Sequence, residues 1–133
     1  MIEPAWVDEE AILLLHEESL AEHGGAPSAR DPGPLQSALA RPKNRFAHEG
    51  VDDVVRLATC YAFGIARNHP FVEGNERVAS VALELFLRLN GLELVADART
   101  CLAVMLDLAA GAIEEEELAA WLRARTRPRA AQP

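Results

Sequence analysis

The stretch from His69 to Arg77 concentrates the residue types that phosphate chemistry uses. It reads His69-Pro70-Phe71-Val72-Glu73-Gly74-Asn75-Glu76-Arg77. Histidine accepts a proton near neutral pH, a carboxylate binds a hard divalent cation together with phosphate oxygens, and arginine forks onto phosphate oxygens. Because all three types occur within nine residues, the stretch fits phosphoryl or nucleotidyl transfer to a hydroxyl.

The first half of the stretch offers a base and a metal ligand. His69 follows an apolar helical segment directly, so its imidazole would stand at the edge of the fold as a candidate general base. Glu73 is a candidate ligand for a divalent cation, with helix capping as the alternative interpretation. Phe71 is expected to turn inward and pin the loop to the core.

The second half of the stretch predicts a phosphate site. Gly74, Asn75 and Glu76 would place successive backbone N–H groups at the start of a helix, where anions bind. Arg77 would follow in the first turn and contact phosphate; a lone arginine there is otherwise a surface charge. Because these residues occur together, a phosphate-binding site is favoured over a separate structural role for each of them.

Two long segments with helical periodicity must position this loop. The preceding one begins at Asp52 or Asp53 and runs to Asn68, and the following one runs to Leu89 and stops at Asn90-Gly91. Both are apolar at three- and four-residue spacing over most of their circumference. They are therefore predicted to be the central helices of a bundle.

Capping residues and helix stops predict the other elements. A first helix is predicted from Asp8 to Gly24-Gly25, and a short second helix starts at Asp31-Pro32 and stops at Pro42. A connecting loop follows over 43–50. Beyond the two central helices we expect a short extended piece at most over 92–95, a fifth helix from Asp97 to Gly111 and a sixth from near Ile113. The sum is an all-α single domain of about six helices over residues 1–126. Residues 127–133 are expected to form a flexible basic tail.

Net charge and the length of the apolar runs limit the partners and the cell compartment that we expect for this protein. Thirteen Lys and Arg against 21 Asp and Glu give a net charge of −8, which disfavours nucleic acid. No apolar run reaches the ~20 residues that span a bilayer, and the N-terminus lacks a basic signal flank, so we expect a cytoplasmic protein with no membrane partner. Cys60 and Cys101 are expected to be buried free thiols. His16, His23 and His48 are assigned structural roles.

The nine-residue stretch resembles the HxFx[DE]GNxR signature of the Fic superfamily, and the chain is most similar there to the death-on-curing (Doc) toxins. The resemblance extends over nearly the whole length. It includes His23-Gly24-Gly25, Asp31-Pro32-Gly33, the run from Ser37 to Pro42, Ala66-Arg67 and the run from Phe86 to Gly91.

The resemblance implies an α-helical Fic fold that uses ATP and magnesium. His69 would be the general base toward a protein hydroxyl, and Glu73 the metal ligand. Gly74 and Asn75 would form the anion hole. Arg77 would contact nucleotide phosphate during catalysis.

Two activities occur among the proteins that the chain resembles. Fic proteins mostly transfer AMP, whereas Doc toxins phosphorylate a threonine of elongation factor Tu and are silenced by an antitoxin whose C-terminal segment folds onto them. We therefore expect a toxin with phosphotransferase activity, with AMP transfer as the alternative. Ser80 stands where AMP-transferring members carry a further arginine, which favours the Doc type, and Leu85 breaks the self-inhibitory pattern [ST]xxxE[GN].

Glu76 departs from both groups, since AMP-transferring members have Gly at this position and Doc proteins commonly have Lys. An acid in the first turn favours the helix dipole but repels a triphosphate. Two unit charges about 4 Å apart interact by roughly 4 kcal/mol at an effective dielectric of 20. The third hypothesis is therefore a catalytically weakened Fic-fold module that binds only a protein partner.

Overall fold

Six α-helices and one two-stranded sheet form the part of the chain that the computed structural model describes, residues 2–25 and 32–130. The elements are α1 (Glu9–His23), α2 (Pro32–Glu49), α3 (Val54–Asn68), α4 (Asn75–Leu89), β1 (Leu92–Leu94), α5 (Ala98–Ala109), α6 (Glu115–Arg123) and β2 (Thr126–Pro128). The prediction of an all-α fold of about six helices is confirmed.

Helix α3 lies at the centre and packs against α2, α4, α5 and α6. Leu57, Tyr61 and Ile65 have no exposed surface, as its apolar circumference predicts. Gly64 lets α2 approach closely, because a Cβ at this position would lie 3.1 Å from the Cα of Ala38. The same central helix ends at Asn68, directly before His69, so the core fixes the position at which the loop begins.

Aspartate caps begin three of the helices where the sequence predicts them. The Asp8 side chain accepts from the N–H of Ala11, Asp53 accepts from Val55, and Asp97 accepts from Thr100. Each cap satisfies a backbone donor that has no partner within its helix. The Asp31 cap predicted for α2 falls outside the described residues.

The predicted stop at Pro42 is wrong, and so is the connecting loop over 43–50, because α2 continues to Glu49. A proline inside a helix costs about 3 kcal/mol, but the turns beyond it make tertiary contacts. Arg45 lies 3.1 Å from Glu115, and Phe46 packs edge to face on Trp6 at 5.7 Å. These contacts hold the second half of α2 in helical form against the local preference.

The expected domain boundary at residue 126 does not match the fold. Strand β2 crosses it and pairs antiparallel with β1, with Leu94 opposite Thr126 and Leu92 opposite Pro128. The N–H of Arg129 continues this pattern by donating to the Gly91 carbonyl at 2.8 Å. Residues 127 and 128 thus belong to the domain, while 131–133 fall outside the described residues. The short extended piece predicted at 92–95 is confirmed as β1.

Two further expectations bear on the rest of the chain. Cys60 and Cys101 are buried and make no disulfide, so the assignment as buried free thiols is confirmed. None of the helices in residues 2–25 and 32–130 combines the length and the apolar character that crossing a bilayer requires.

Candidate functional site

His69 lies at the junction between α3 and the loop. It has left-handed backbone angles, φ 49° and ψ 57°, and its N–H donates to the carbonyl of Ile65 at 3.3 Å. Among the described residues it is the only non-glycine residue with positive φ, a conformation that is uncommon for side chains with a Cβ. The chain therefore turns sharply at His69, and the imidazole is left exposed.

The side chain of Asn75 closes the loop on itself. Its Oδ1 accepts from the N–H of Phe71 at 2.9 Å, and its Nδ2 donates to the Phe71 carbonyl at 2.8 Å. Nδ2 also lies 3.5 Å from Nδ1 of His69. Asn75 is only 4% exposed, so these bonds form away from water and hold His69 beside the start of α4.

Phe71 turns inward, as predicted, and is 4% exposed. Its ring stacks on the ring of His16, with centroids 3.8 Å apart and planes 15° from parallel. Nε2 of His16 lies 2.9 Å from the carbonyl oxygen of Glu73. The structural role predicted for His16 is thus to contact two residues of the loop, Phe71 and Glu73. Its spacing of four residues from the buried Ile12 signals burial on α1, but no sequence signal names the loop as its partner.

Glu73 is exposed on the loop and lies against the end of α1. A Cβ on Gly25 would come within 2.6 Å of its Oε2, so a side chain at this position would displace the carboxylate. Within residues 2–25 and 32–130, no three His, Cys, Asp or Glu side chains form a group able to hold a metal ion. A divalent cation at Glu73 would therefore take most ligands from phosphate and water, as magnesium commonly does.

The N-terminus of α4 has no side-chain cap. Gly74 precedes it in a left-handed conformation, φ 83°, and the first bond of the helix runs from the N–H of Val78 to the Gly74 carbonyl at 3.0 Å. The N–H groups of Asn75, Glu76 and Arg77 make no hydrogen bond to any described residue. Such donors, together with the helix dipole, suit an anion.

The side chains of Glu76 and Arg77 lie in the first turn and are half-buried. Neither makes a hydrogen bond or ion pair with the described part of the chain. Arg77 lines a groove of about 190 Å³ where α1, α4 and α5 meet, together with Glu18 and Glu22. The structure therefore brings His69, Glu73, Gly74 and Asn75 into one loop with Arg77 on its α1 side. Contact of Arg77 with phosphate remains a prediction.

Comparison with known proteins gives a consistent set of matches. The sequence model of the Fic/DOC family matches residues 6–87. Protein kinase doc of Escherichia phage P1 is 31% identical over 117 residues, which cover 88% of this chain and 92% of that protein. Toxin Doc of Mycolicibacterium smegmatis is 43% identical over 77 residues, 56% of this chain and 58% of that protein. The family match runs from just before α1 into the last turns of α4, so it contains every residue of the loop and its supports.

Proposed function

Since the chain belongs to the Fic/DOC family, we propose that it is the toxin of a toxin–antitoxin module and transfers phosphate from ATP to a protein hydroxyl. The relative from phage P1 is named a protein kinase, and the one from M. smegmatis is named a toxin. The proposed target is a threonine of elongation factor Tu, so that translation is blocked. The proposal puts the protein in the cytoplasm, where translation takes place.

The observation that carries this proposal is the exposed imidazole of His69 beside the uncapped N-terminus of α4. Phosphoryl transfer needs little covalent chemistry from the protein and depends on positioning and electrostatic stabilisation. The backbone N–H groups that begin α4 supply donors for phosphate oxygens. His69 supplies a base within the same turn of chain.

In the proposed reaction the oxygen of the target hydroxyl bonds to the γ-phosphorus while the bond to the β-γ bridging oxygen breaks. His69 takes the hydroxyl proton, and ADP leaves with the electron pair. Glu73 would hold the magnesium ion, whose charge neutralises phosphate oxygens. Arg77 would bind a phosphate oxygen from the side of α1.

The ring of His69 must be in a particular protonation state for this step. Nδ2 of Asn75 is a donor that faces Nδ1 of His69 at 3.5 Å, which in the neutral ring favours a proton on Nε2. A hydroxyl that approaches Nε2 therefore requires the other tautomer, with Nδ1–H turned away from Asn75. The contact is at the long limit of a hydrogen bond, so its loss costs little.

Labelled ATP tests the proposed reaction directly. The full chain is incubated with elongation factor Tu, magnesium and ATP labelled at either the γ or the α position. We expect label on the target from the γ position alone, and none from the His69→Ala variant. Label from the α position would establish AMP transfer instead, and transfer by the His69→Ala variant would remove the base from the mechanism.

The antitoxin is the second proposed partner, and it would act through a C-terminal segment that folds onto the toxin. Expression of the chain alone is expected to arrest bacterial growth, and the His69→Ala variant is expected to relieve the arrest. Co-expression with the open reading frame adjacent to its gene should also restore growth. Growth arrest that persists in the His69→Ala variant would contradict the assigned role of this loop.

Glu76 supports a second candidate function, a protein-binding module that excludes ATP. Glu76 lies in the first turn of α4, whose N-terminal N–H groups would bind phosphate, and it makes no ion pair within the described part of the chain. A repulsion of roughly 4 kcal/mol at 4 Å would weaken ATP binding nearly a thousandfold. Calorimetry with ATP and magnesium separates the two candidates, because micromolar binding to the wild type rules out the module. The Glu76→Lys variant should then bind ATP more tightly than the wild type.

A further inference from the structure

We propose that His16 is a positioning residue that sets the direction of the Glu73 carboxylate from outside the signature stretch. The inference rests on the proposed function of the loop, in which Glu73 is the metal ligand. His16 belongs to α1 and precedes Glu73 by 57 residues. It is 5% exposed, so its imidazole is not accessible to a substrate.

The hydrogen bond from His16 fixes the backbone of the loop. Its acceptor is a carbonyl oxygen, that of Glu73, and the separation is 2.9 Å. Nε2 of His16 must therefore carry the proton and donate it. The bond holds the peptide plane between Glu73 and Gly74, which is the point where the chain takes its left-handed turn into α4.

The ring stack from His16 fixes the opposite end of the loop. Phe71 lies flat against the imidazole at 3.8 Å, while Asn75 binds the backbone of the same residue from α4. Phe71 is thus held by its ring from one helix and by its main chain from another. Two residues later, the Glu73 carbonyl is held by the same imidazole.

The Glu73 carboxylate also lies beside the end of α1, because a Cβ on Gly25 would come within 2.6 Å of its Oε2 and push the carboxylate aside. Helix α1 and its end therefore contact Glu73 at both the main chain and the side chain. Gly74 lies on the same side of the loop, since a Cβ there would be 3.6 Å from Cδ2 of His16, an ordinary van der Waals distance. A purely apolar side chain at position 16 would fill the same volume but leave the carbonyl of Glu73 without its donor.

Two substitutions separate the space-filling role of the His16 ring from its role as a hydrogen-bond donor to Glu73. His16→Phe keeps a ring of similar size against Phe71 and removes the donor. His16→Gln keeps an N–H donor the same number of bonds from Cβ as Nε2 and removes the ring. His48→Phe is the matched control, because His48 is exposed at the end of α2.

The measurements on the full chain are thermal unfolding, the magnesium concentration that gives half-maximal ATP binding, and amide hydrogen exchange at Phe71 and Val78. The N–H groups of these two residues donate to Oδ1 of Asn75 and to the Gly74 carbonyl, one on either side of the turn. In His16→Phe we expect amide exchange at Phe71 and Val78 to rise about tenfold, and the magnesium requirement to rise about tenfold, as loss of one neutral hydrogen bond predicts. His16→Gln should stay within about threefold of the wild type in both, even where its melting temperature is the lower of the two. His48→Phe should change neither quantity.

The outcomes distinguish the two proposals. Unchanged amide exchange at Phe71 and Val78 in His16→Phe would overturn the positioning role, and so would equal losses in both His16 variants that follow the melting temperature. A wild type that binds no ATP would overturn the proposed function of the loop, whereas hydrogen exchange would still report whether His16 orders it. Raised exchange with an unchanged magnesium requirement would show that His16 orders the loop without directing Glu73, which also contradicts the proposal.

Discussion

The side-chain amide of Asn75 bonds the backbone of Phe71 in both directions, accepting from its N–H at 2.9 Å and donating to its carbonyl at 2.8 Å. The other end of α4 repeats the arrangement. Asn90 accepts from the N–H of Ala5 at 2.8 Å and donates to the Ala5 carbonyl at 3.0 Å. Helix α4 is therefore tied at its start to the loop and just past its end to the N-terminal segment, by the same pair of bonds.

Replacing Asn75 by Ala should cost about 1–3 kcal/mol of unfolding free energy, because it leaves the buried N–H and carbonyl of Phe71 without partners. Urea unfolding measures the cost, and the phosphotransfer assay measures the effect on the loop. Asn90→Ala is the control for the same pair of bonds at an exposed position. It should cost less, because the backbone groups of Ala5 remain open to water, and it should leave phosphate transfer intact. Equal loss of transfer in the two variants at a temperature where both are folded would contradict a special role for Asn75.

Gly25→Ala should weaken magnesium-dependent ATP binding, because the new Cβ would meet Oε2 of Glu73 at 2.6 Å and displace the carboxylate. Gly24→Ala tests the backbone effect alone. Gly24 also has positive φ, 81°, but nothing lies within 4 Å of a Cβ there. Both variants should lose stability through strained backbone, of order 1–3 kcal/mol. Calorimetry at several magnesium concentrations should show a raised requirement in Gly25→Ala only.

Tyr61 should titrate far above the ordinary tyrosine range. Burial raises its pKa to about 12, against a smaller opposite effect of the Val7 N–H, which donates to the phenol oxygen at 3.1 Å. The fold thus favours the protonated phenol. Its contribution to stability is complete below about pH 10, the pKa in the unfolded chain, and is lost as pH rises toward 12.

The absorbance of tyrosinate measures this titration without ambiguity, because Tyr61 is the chain's one tyrosine. At about 1.4 kcal/mol per pKa unit, the free energy of unfolding should fall by on the order of 2 kcal/mol more in the wild type than in Tyr61→Phe between pH 10 and 12. An absorbance midpoint near pH 10 in the folded protein would contradict the burial of this phenol.

Glu115→Gln should destabilise the fold, because the carboxylate binds two arginines of α2 from the start of α6. It lies 2.9 Å from Arg41 and 3.1 Å from Arg45, and its side chain is 18% exposed. Removing the charge leaves Arg41 without its carboxylate partner and leaves Arg45 only the longer contact to Glu49, at 3.8 Å. We expect a cost of about 1–3 kcal/mol by chemical denaturation.

The neighbouring Glu116 is the matched control for that prediction. It pairs with Arg56 at 2.8 Å, but its side chain is 69% exposed. Glu116→Gln should change stability much less, and the small change should vanish in high salt. A larger effect at Glu116 than at Glu115 would refute the assignment of the inner pair as the structural one.

Local signals were enough to predict most of the helix framework. The caps at Asp8, Asp53 and Asp97 act within three residues of chain, and the stops at Gly24 and Asn90 act within four. The helix stop predicted at Pro42 was wrong because the local cost of the proline is offset by contacts between residues far apart in sequence, such as that between Arg45 and Glu115. Residues 127–128 misled for the same reason, since β2 pairs with a strand more than 30 residues earlier.

The same distinction between local and long-range contacts applies to the candidate site. The identity and order of His69, Glu73 and Asn75 are written in one short stretch, and so is the inward turn of Phe71. The support from α1 is not, because the contact between His16 and Glu73 joins positions 57 residues apart. Sequence periodicity marks His16 as buried but cannot say which segment it meets.

The dependence of the loop on α1 bears on how fragments of such proteins are interpreted. A truncated reading frame that starts after residue 25 would encode all nine residues from His69 to Arg77 and both flanking helices. It would lack the imidazole and the glycine that contact Glu73. We expect such a pseudogene product to keep the signature and lose the support of Glu73, the proposed metal ligand, so the presence of the motif alone would be no measure of toxicity.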